Sequence, residues 1–318
     1  MGRSSFGGYM SHARLRCGDL AEVRTPDEIG QTLDADGALE HLPFMPEMLE
    51  FCGQRFRVLR RALVVCIYAP GTPLGFDADD VVTLDGVRCS GVAHDGCQKS
   101  CVIFWREAWL RKVEDKAVLP EVDLQSVERL RARLKVSTGP NTYFCQASEL
   151  RKATHSLSKW ERLGRCLSGF RAGNFNAVQT AKSNITWLYW SIRKKFLGVY
   201  PRGRSGSATE SLNLQPGEWV EVKSMPSIIE TLNARGMNRG LLFSTDMRLL
   251  CGQRRRVKGR LDKIIVDGTG KMRDLRNTVY LEGSTCGCSY MGFGMYGCSR
   301  CELTYWREIW LRRCEGPK

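Results

Sequence analysis

The chain has 318 residues, 42% of them hydrophobic, and a formal charge of +14. That length suffices for two packed domains, and no run of about 18 uninterrupted apolar residues offers a membrane-spanning helix. The charge favours an anionic partner such as nucleic acid, an acidic lipid surface or an acidic protein.

The N-terminal stretch Met1-Gly-Arg-Ser-Ser-Phe6 runs into charged residues rather than an apolar core, so no secretory leader is expected. The fourteen cysteines then read as reduced thiols of a cytoplasmic protein, not as a disulfide framework. Gly18–Arg24 alternates apolar and polar residues and predicts a strand. Thr25-Pro-Asp-Glu predicts a capped helix over Pro26–Leu33, closed by Asp36-Gly37. Phe44–Phe51 predicts a helical turn or two, with Gly53 after it and Cys52 at its end. Strands are expected at Phe56–Ile67, Val81–Leu84 and Trp105–Val113, with a loop from Gly91 to Gly96.

This pattern occurs twice. Gly18/Gly217, Thr32/Thr231, Phe44/Phe243, Met48/Met247 and Cys52/Cys251 share one offset, 217 − 18 = 199. The offset is 286 − 89 = 197 at Cys89/Cys286 and 298 − 97 = 201 at Cys97/Cys298. It stays 201 through Trp105-Arg-Glu-Ala-Trp109 and Trp306-Arg-Glu-Ile-Trp310. One fold duplicated, with length changes in loops, accounts for this. The expected units are 1–120 and 209–318, joined by a connector over 121–208.

In the connector, Leu124–Leu134, Leu157–Phe170 and Ala177–Phe196 have helical spacing. Residues 151–204 hold twelve Lys/Arg against Glu161, or +11, so the basic character of the chain resides here. Arg151, Lys152, Arg162, Arg165, Lys182, Arg193, Lys194 and Lys195 are the candidate anion-binding cations, with Trp187 and Trp190 as aromatic partners. Such a segment suits nucleic-acid phosphates with rings stacked on bases. It suits equally an anionic membrane surface, or a core helix with solvated cations. Arg202–Ala208 reads as a flexible linker.

The repeat serves as a filter on the cysteines. Cys52/Cys251, Cys89/Cys286 and Cys97/Cys298 align, and Cys101/Cys301 align to within one residue. Cys17, Cys66, Cys145, Cys166, Cys288 and Cys314 have no partner, and His94 faces no second histidine. The candidate ligand set is therefore Cys52, Cys89, Cys97 and Cys101 in one copy and Cys251, Cys286, Cys298 and Cys301 in the other. Cys288 is a substitute ligand in the second copy. Four thiolates suit closed structural zinc, and an iron–sulfur cluster is the alternative. Buried cysteines kept only by duplication remain the plain alternative to either.

On an extended strand Trp105, Glu107 and Trp109 would share one face. Packing of the tryptophans over the cysteine loop is favoured over an aromatic platform that stacks a base. Glu107 and Glu308 are acids without a recurring histidine or second carboxylate nearby. No P-loop, dinucleotide fingerprint, nucleophile elbow or H-E-x-x-H motif occurs, so nothing argues for an enzyme.

Gly18–Arg24 and Gly217–Lys223 resemble the entry to an SH3-like small barrel of the KOW and Tudor kind. The whole arrangement resembles a group of bacterial proteins of unassigned function. The shared features are Cys-Gly-x-x-Phe-Arg-Val (Cys52–Val58), the Gly96-Cys97 step, the Trp-Arg-Glu-x-Trp-Leu strand and Tyr-x-Cys-Gln (Tyr143–Gln146). That resemblance implies an architecture and brings no activity with it. The expectation is a mainly β chain with two tandem SH3-like barrels, cysteine-rich metal loops and a helical connector. Its expected role is non-catalytic binding or scaffolding toward a polyanion, nucleic acid first. The alternatives are a zinc- or iron–sulfur-dependent accessory enzyme of a bacterial biosynthetic pathway and a peripheral membrane protein.

Overall fold

The computed structural model describes residues 14–67, 73–114, 118–176, 202–244, 246–286 and 299–316, with 178, 179, 181, 185, 188, 189 and 192. The first copy contains strands β1 (Leu20–Val23), β2 (Ala38–Leu39), β3 (Leu42–Pro43), β4 (Arg55–Arg61) and β5 (Val65–Cys66). It continues with β6 (Pro73–Phe76), β7 (Val81–Arg88), β8 (Val102–Arg106) and β9 (Leu110–Lys112). Strands β10 (Ser137–Gly139), β11 (Thr142–Tyr143) and β12 (Thr154–Ser156) belong to the connector. The second copy adds β13 (Trp219–Val222), β14 (Met237–Asn238), β15 (Leu241–Leu242), β16 (Arg254–Arg260) and β17 (Lys263–Ile265). It closes with β18 (Met272–Asp274), β19 (Thr278–Thr285), β20 (Leu303–Arg307) and β21 (Leu311–Arg313).

Each copy forms a curled five-stranded antiparallel sheet, ordered β8-β7-β4-β1-β9 and β20-β19-β16-β13-β21. The registers match: Ala21 opposes Phe56 as Val220 opposes Arg255, and Val58 opposes Leu84 as Val257 opposes Leu281. Both copies bulge at the same step of β4 and β16, between Val58/Arg60 and Val257/Gly259, which curls the sheet over its core.

The predicted entry helix is α1 (Pro26–Gly30), opened by a full capping box between Thr25 and Glu28. It stops short of Leu33. The turn before Cys52 is a 3-10 helix, Pro46–Phe51, followed by Gly53 in the left-handed region at φ 74°. The expected strand Phe56–Ile67 is two strands, β4 and β5, on different sheets.

The expected strand Trp105–Val113 is also broken. Strand β8 ends at Arg106, a 3-10 turn occupies Glu107–Trp109, and β9 begins at Leu110. The break falls where the chain changes partner: the Glu107 N–H makes the last bond on the β7 side, donating to the Asp80 carbonyl at 2.8 Å, and Leu110 then pairs with Val23 of β1. The Glu308 N–H does the same with Asn277, also at 2.8 Å.

In the connector, α2 (Leu124–Arg133) is capped by Asp123 and buries Leu130 in the first core. Helix α3 (Gln146–Glu149) follows β11, and α4 (Lys159–Arg171) starts on a second capping box, Ser158 with Glu161. Strand β12 pairs with β6, so the connector extends a sheet of the first copy. The helix expected over Ala177–Phe196 lies mostly outside the described residues.

Arg202–Ala208 is not a free linker. The Gly203 and Ser205 N–H groups donate to the carbonyls of Asn233 and Leu232, both at 3.1 Å. A Cβ on Gly203 would fall 2.1 Å from the Ile229 carbonyl oxygen, so only glycine fits there.

The copies face each other through equivalent backbone bonds. The Gln98 N–H donates to Lys263, and the Ser299 N–H donates to Val64, each at 3.0 Å. Residues 98 and 299 are repeat partners, as are 64 and 263. The halves thus meet as an isologous pair does in a homodimer.

Candidate functional site

The first copy's cysteine loop is held by backbone. The Cys89 N–H donates to the Cys101 carbonyl at 2.8 Å, and Gly91 takes φ 71° beneath the Cys97 peptide. A Cβ at Gly91 would stand 2.0 Å from the Cys97 carbonyl oxygen, so the chain approaches itself as only glycine allows. Cys89, Cys97 and Cys101 line one small cavity of about 30 Å³, and the fourth thiol on its wall is Cys145. The Ile265 N–H, from the second copy, donates to Cys97 Sγ at 3.3 Å. Three parts of the chain therefore meet at this point.

Cys52 is elsewhere. It ends the 3-10 turn Pro46–Phe51, is buried, and does not line the cavity. Burial pushes the thiols of Cys52 and Cys101 up to about 12, that of Cys145 to about 11, and that of Cys89 higher still. Neutral thiols are the favoured state in this environment. Among the described residues, no group of three or more His, Cys, Asp or Glu side chains is arranged to hold a metal ion.

Sequence reasoning set Cys145 aside because the connector has no second copy. The signal that would have found it is its position in Tyr143-Phe-Cys-Gln146. Gln146 anchors that segment: its side chain accepts from the Phe104 N–H at 2.8 Å and donates to the Phe104 and Pro43 carbonyls at 2.8 and 3.1 Å. His94 is engaged at both ring nitrogens, Nδ1 with the Glu47 carboxylate at 2.7 Å and Nε2 with the Phe144 carbonyl at 3.0 Å. Glu47 is held ionised and Phe144 offers a carbonyl, so both partners are acceptors and the arrangement favours the imidazolium. Burial opposes that charge, but the hydrogen bond and charge of Glu47 raise the His94 pKa above its ordinary value.

The second copy differs. The Cys286 N–H donates to the Glu302 carbonyl at 2.7 Å, as Cys89 does to Cys101. Ser100 and Cys301 share left-handed backbone, φ 51° and 41°. The structural partner of Cys101 is thus Glu302, and Cys301 corresponds to Ser100. Cys251 is half-buried, its Sγ 4.0 Å from Met225 Sδ. Cys288 and Cys298 lie outside the described residues.

Beside the thiol cavity, the two loops bury an ion cluster. Lys99 and its repeat partner Arg300 both pair with Asp267, Arg300 at 2.8 Å. Both also pair with Glu302, Lys99 at 3.1 Å. Burial works against the Asp267 carboxylate, but Arg300 and Lys99 hold it well below the usual carboxylate range.

The paired tryptophans are core residues. Trp105 and Trp109 pack edge-on to Phe44 at 6.2 and 5.3 Å, and Trp306 and Trp310 repeat this against Phe243 at 6.0 and 5.2 Å. Trp109 and Trp310 donate to Thr32 and Thr231, each at 3.0 Å, which explains those repeated threonines. All four rings are fully buried, so they form no stacking platform. Glu107 accepts from Arg61 and the Leu15 N–H, both at 2.7 Å. Glu308 accepts from Arg260 and from the N–H groups of Leu212, Asn213 and Leu214. These carboxylates tie down the chain entering each sheet.

Of the connector cations, Arg151 is exposed, and Lys152 is exposed and paired with Glu149 at 2.6 Å. Arg162 is half-buried. Arg165 donates to the Leu63 and Phe76 carbonyls at 3.0 and 2.7 Å, so it fixes α4 to the first copy. Lys182, Arg193, Lys194, Lys195, Trp187 and Trp190 lie outside the described residues. The feature sequence reasoning missed is a solvent-facing apolar stripe on α4: Trp160, Leu163, Leu167 and Phe170, with Trp160 82% exposed.

No family model, curated protein or solved structure matches this chain. Among the described residues, no helix is long and apolar enough to cross a membrane.

Proposed function

We propose that this is a non-catalytic, metal-stabilised binding protein that engages an anionic partner through its connector, nucleic acid being the first class. The observation that carries the reading is the outward face of α4. Exposed Trp160 there lies beside exposed Lys159, and the segment 151–204 has a net charge of +11. A ring for stacking beside cations for phosphate is the combination that single strands require. Each sheet is read as an SH3-like barrel, on its strand order and on the 3-10 turn before its last strand.

The metal part of the reading rests on the residue types lining one cavity; the four thiols are not arranged to hold an ion as they stand, so zinc would have to draw them together. Deprotonated, Cys89, Cys97, Cys101 and Cys145 would supply a closed tetrahedral zinc set with Zn–S of about 2.3 Å and no open position for catalysis. Colourless protein containing zinc supports this assignment. Brown protein containing iron and sulfide favours the redox accessory enzyme instead.

The test of partner class is fluorescence anisotropy with a labelled single-stranded oligonucleotide across a salt series. Binding should weaken linearly in log–log form. Changing Arg151, Lys159, Arg171, Arg193, Lys194 and Lys195 to Gln should flatten that slope. An unchanged slope sinks the reading. The apolar stripe favours one second reading, attachment to an anionic membrane surface. Co-sedimentation with acidic liposomes, lost in Leu163→Ser/Phe170→Ser, would establish it.

A further inference from the structure

Divergence between the copies has left one buried arginine without its counter-charges. In the first copy Arg106 is buried and pairs with Glu40 at 2.8 Å and Asp80 at 2.6 Å. Its guanidinium also donates to the Glu40 carbonyl at 3.2 Å. The second copy keeps the arginine and its backbone partner: Arg307 donates to the Arg239 carbonyl at 3.0 Å. Arg239 occupies the place of Glu40, and Asn277 that of Asp80. Two negative charges around the first arginine thus become one positive charge around the second.

Arg307 is only 6% exposed and is held by the Arg276 carbonyl at 2.7 Å and Thr278 Oγ1 at 2.9 Å. These bonds fix the guanidinium without neutralising it. Its Nε has no hydrogen-bond partner, and among the described residues it makes no ion pair. Burial, and then the charge of Arg239, push its pKa down. A buried cation in that position is retained at a cost unless something else supplies the negative charge.

Arg307 lines a cavity of about 440 Å³, formed by the second copy together with Lys99 of the first. Arg239, Arg273 and Arg276 line it too; all three are exposed, and among the described residues none makes an ion pair. Of the three acids on its wall, Asp267 and Glu302 are already taken by Lys99 and Arg300, and Asp274 is exposed at the rim, one negative charge against four arginines. Leu241, Ile264 and Tyr305 give the cavity an apolar side. This volume lies in the range of small-molecule sites, and arginine forks match the oxygens of phosphate.

We propose that this cavity binds a small phosphorylated molecule, its phosphate on the arginines and a ring or other apolar body against Leu241, Ile264 and Tyr305. The site is separate from the connector and does not depend on how the connector is read. Repeat divergence converted an ion-paired structural arginine into the charge at the base of a ligand site.

The test uses the full chain, with pyrophosphate and ADP as probes, followed by calorimetry and thermal unfolding. Wild type should bind at least one of them and show a concentration-dependent rise in midpoint. Arg239→Glu/Asn277→Asp rebuilds the first copy's ion pairs. This variant should unfold at a higher midpoint without ligand and lose the probe-induced rise. Arg273→Ala, at an exposed position, should keep its fold and weaken binding by about tenfold.

Oligonucleotide binding through the connector should persist in both variants, which separates this site from the connector reading. Three results would overturn the proposal. One is wild type that binds neither probe at millimolar concentration. Another is a double variant with unchanged probe affinity. The third is an oligonucleotide that binds through these arginines when the small probes do not.

Discussion

His94 shows how a single residue can tie the cysteine loop to the rest of the chain. Its imidazolium bridges Glu47 on the 3-10 turn and the Phe144 carbonyl on the connector. Its folded pKa is raised, so the stabilisation is complete below the unfolded value of about 6.5 and fades as pH rises through the folded value. Glu47 is shifted the other way: burial raises its pKa, but His94 holds it below its ordinary value, so its share fades only in acid. Urea unfolding should find His94→Gln less stable by about 2–3 kcal/mol near pH 6. The gap should narrow toward alkaline pH, and a gap that widens with pH would refute the imidazolium.

Cys145 can be tested in the same region, because among the described residues the four thiols around one cavity belong to the first copy and the connector. Elemental analysis should find about one zinc per chain, where the duplicated cysteine set would give two. Cys145→Ser should lose that zinc, and Cys52→Ser should keep it. The opposite pattern would restore the ligand set taken from the repeat. Because the apo thiols favour protonation, zinc binding should also release protons in a weakly buffered titration.

Among the elements, the stretch from Trp105 to Leu110 sets two fully buried tryptophans and Leu110 into the first core. Alternation of faces suggested one strand, but the period cannot reveal where a strand changes partner. The break comes where the chain leaves β7, after the Glu107 bond to the Asp80 carbonyl, and crosses to pair with β1, a change of partner that exists only once the sheet has formed. The turn sets both tryptophans against Phe44, which a continuous strand would not do. Trp109→Ala should therefore cost about 3–5 kcal/mol, read as a lower unfolding midpoint. A cost near that of a surface change, within about 0.5 kcal/mol, would show that the turn carries little.

Local signals were legible where the physics is local: the Thr25 cap, Gly53 after its turn, and the helical spacing that located α2 and α4. The thiol site was half-legible. Duplication pointed to Cys89, Cys97 and Cys101, but a repeat filter is blind to Cys145, which arrives from unduplicated chain. The exchange of Glu40 for Arg239 was present in the alignment. It acquired meaning only when Arg106 and Arg307 were seen buried against those positions.

At the scale of the whole molecule, duplication has produced an internal dimer whose halves are no longer equivalent. The pseudo-symmetric bonds from Gln98 to Lys263 and from Ser299 to Val64 place Lys99 and Arg300 side by side on Asp267. Lys99 and Arg300 share Asp267 and Glu302, two cations with two carboxylates, so removing Asp267 leaves one buried positive charge uncompensated. Asp267→Asn should cost about 3–5 kcal/mol. It should act on the packing of one copy against the other before it acts on either sheet, because both sheets lie outside the cluster. Calorimetry of wild type should give one cooperative transition. In the variant the second copy, whose core is the smaller among the described residues, should melt first as a separate transition. The wild-type contribution should be complete above the unfolded pKa of about 3.9 and fade as pH falls from there toward the depressed folded value. A variant that melts in one transition at the wild-type midpoint would mean that the copies are held by their backbone bonds alone. The buried ions would then serve to fix the register of the two halves rather than to stabilise them.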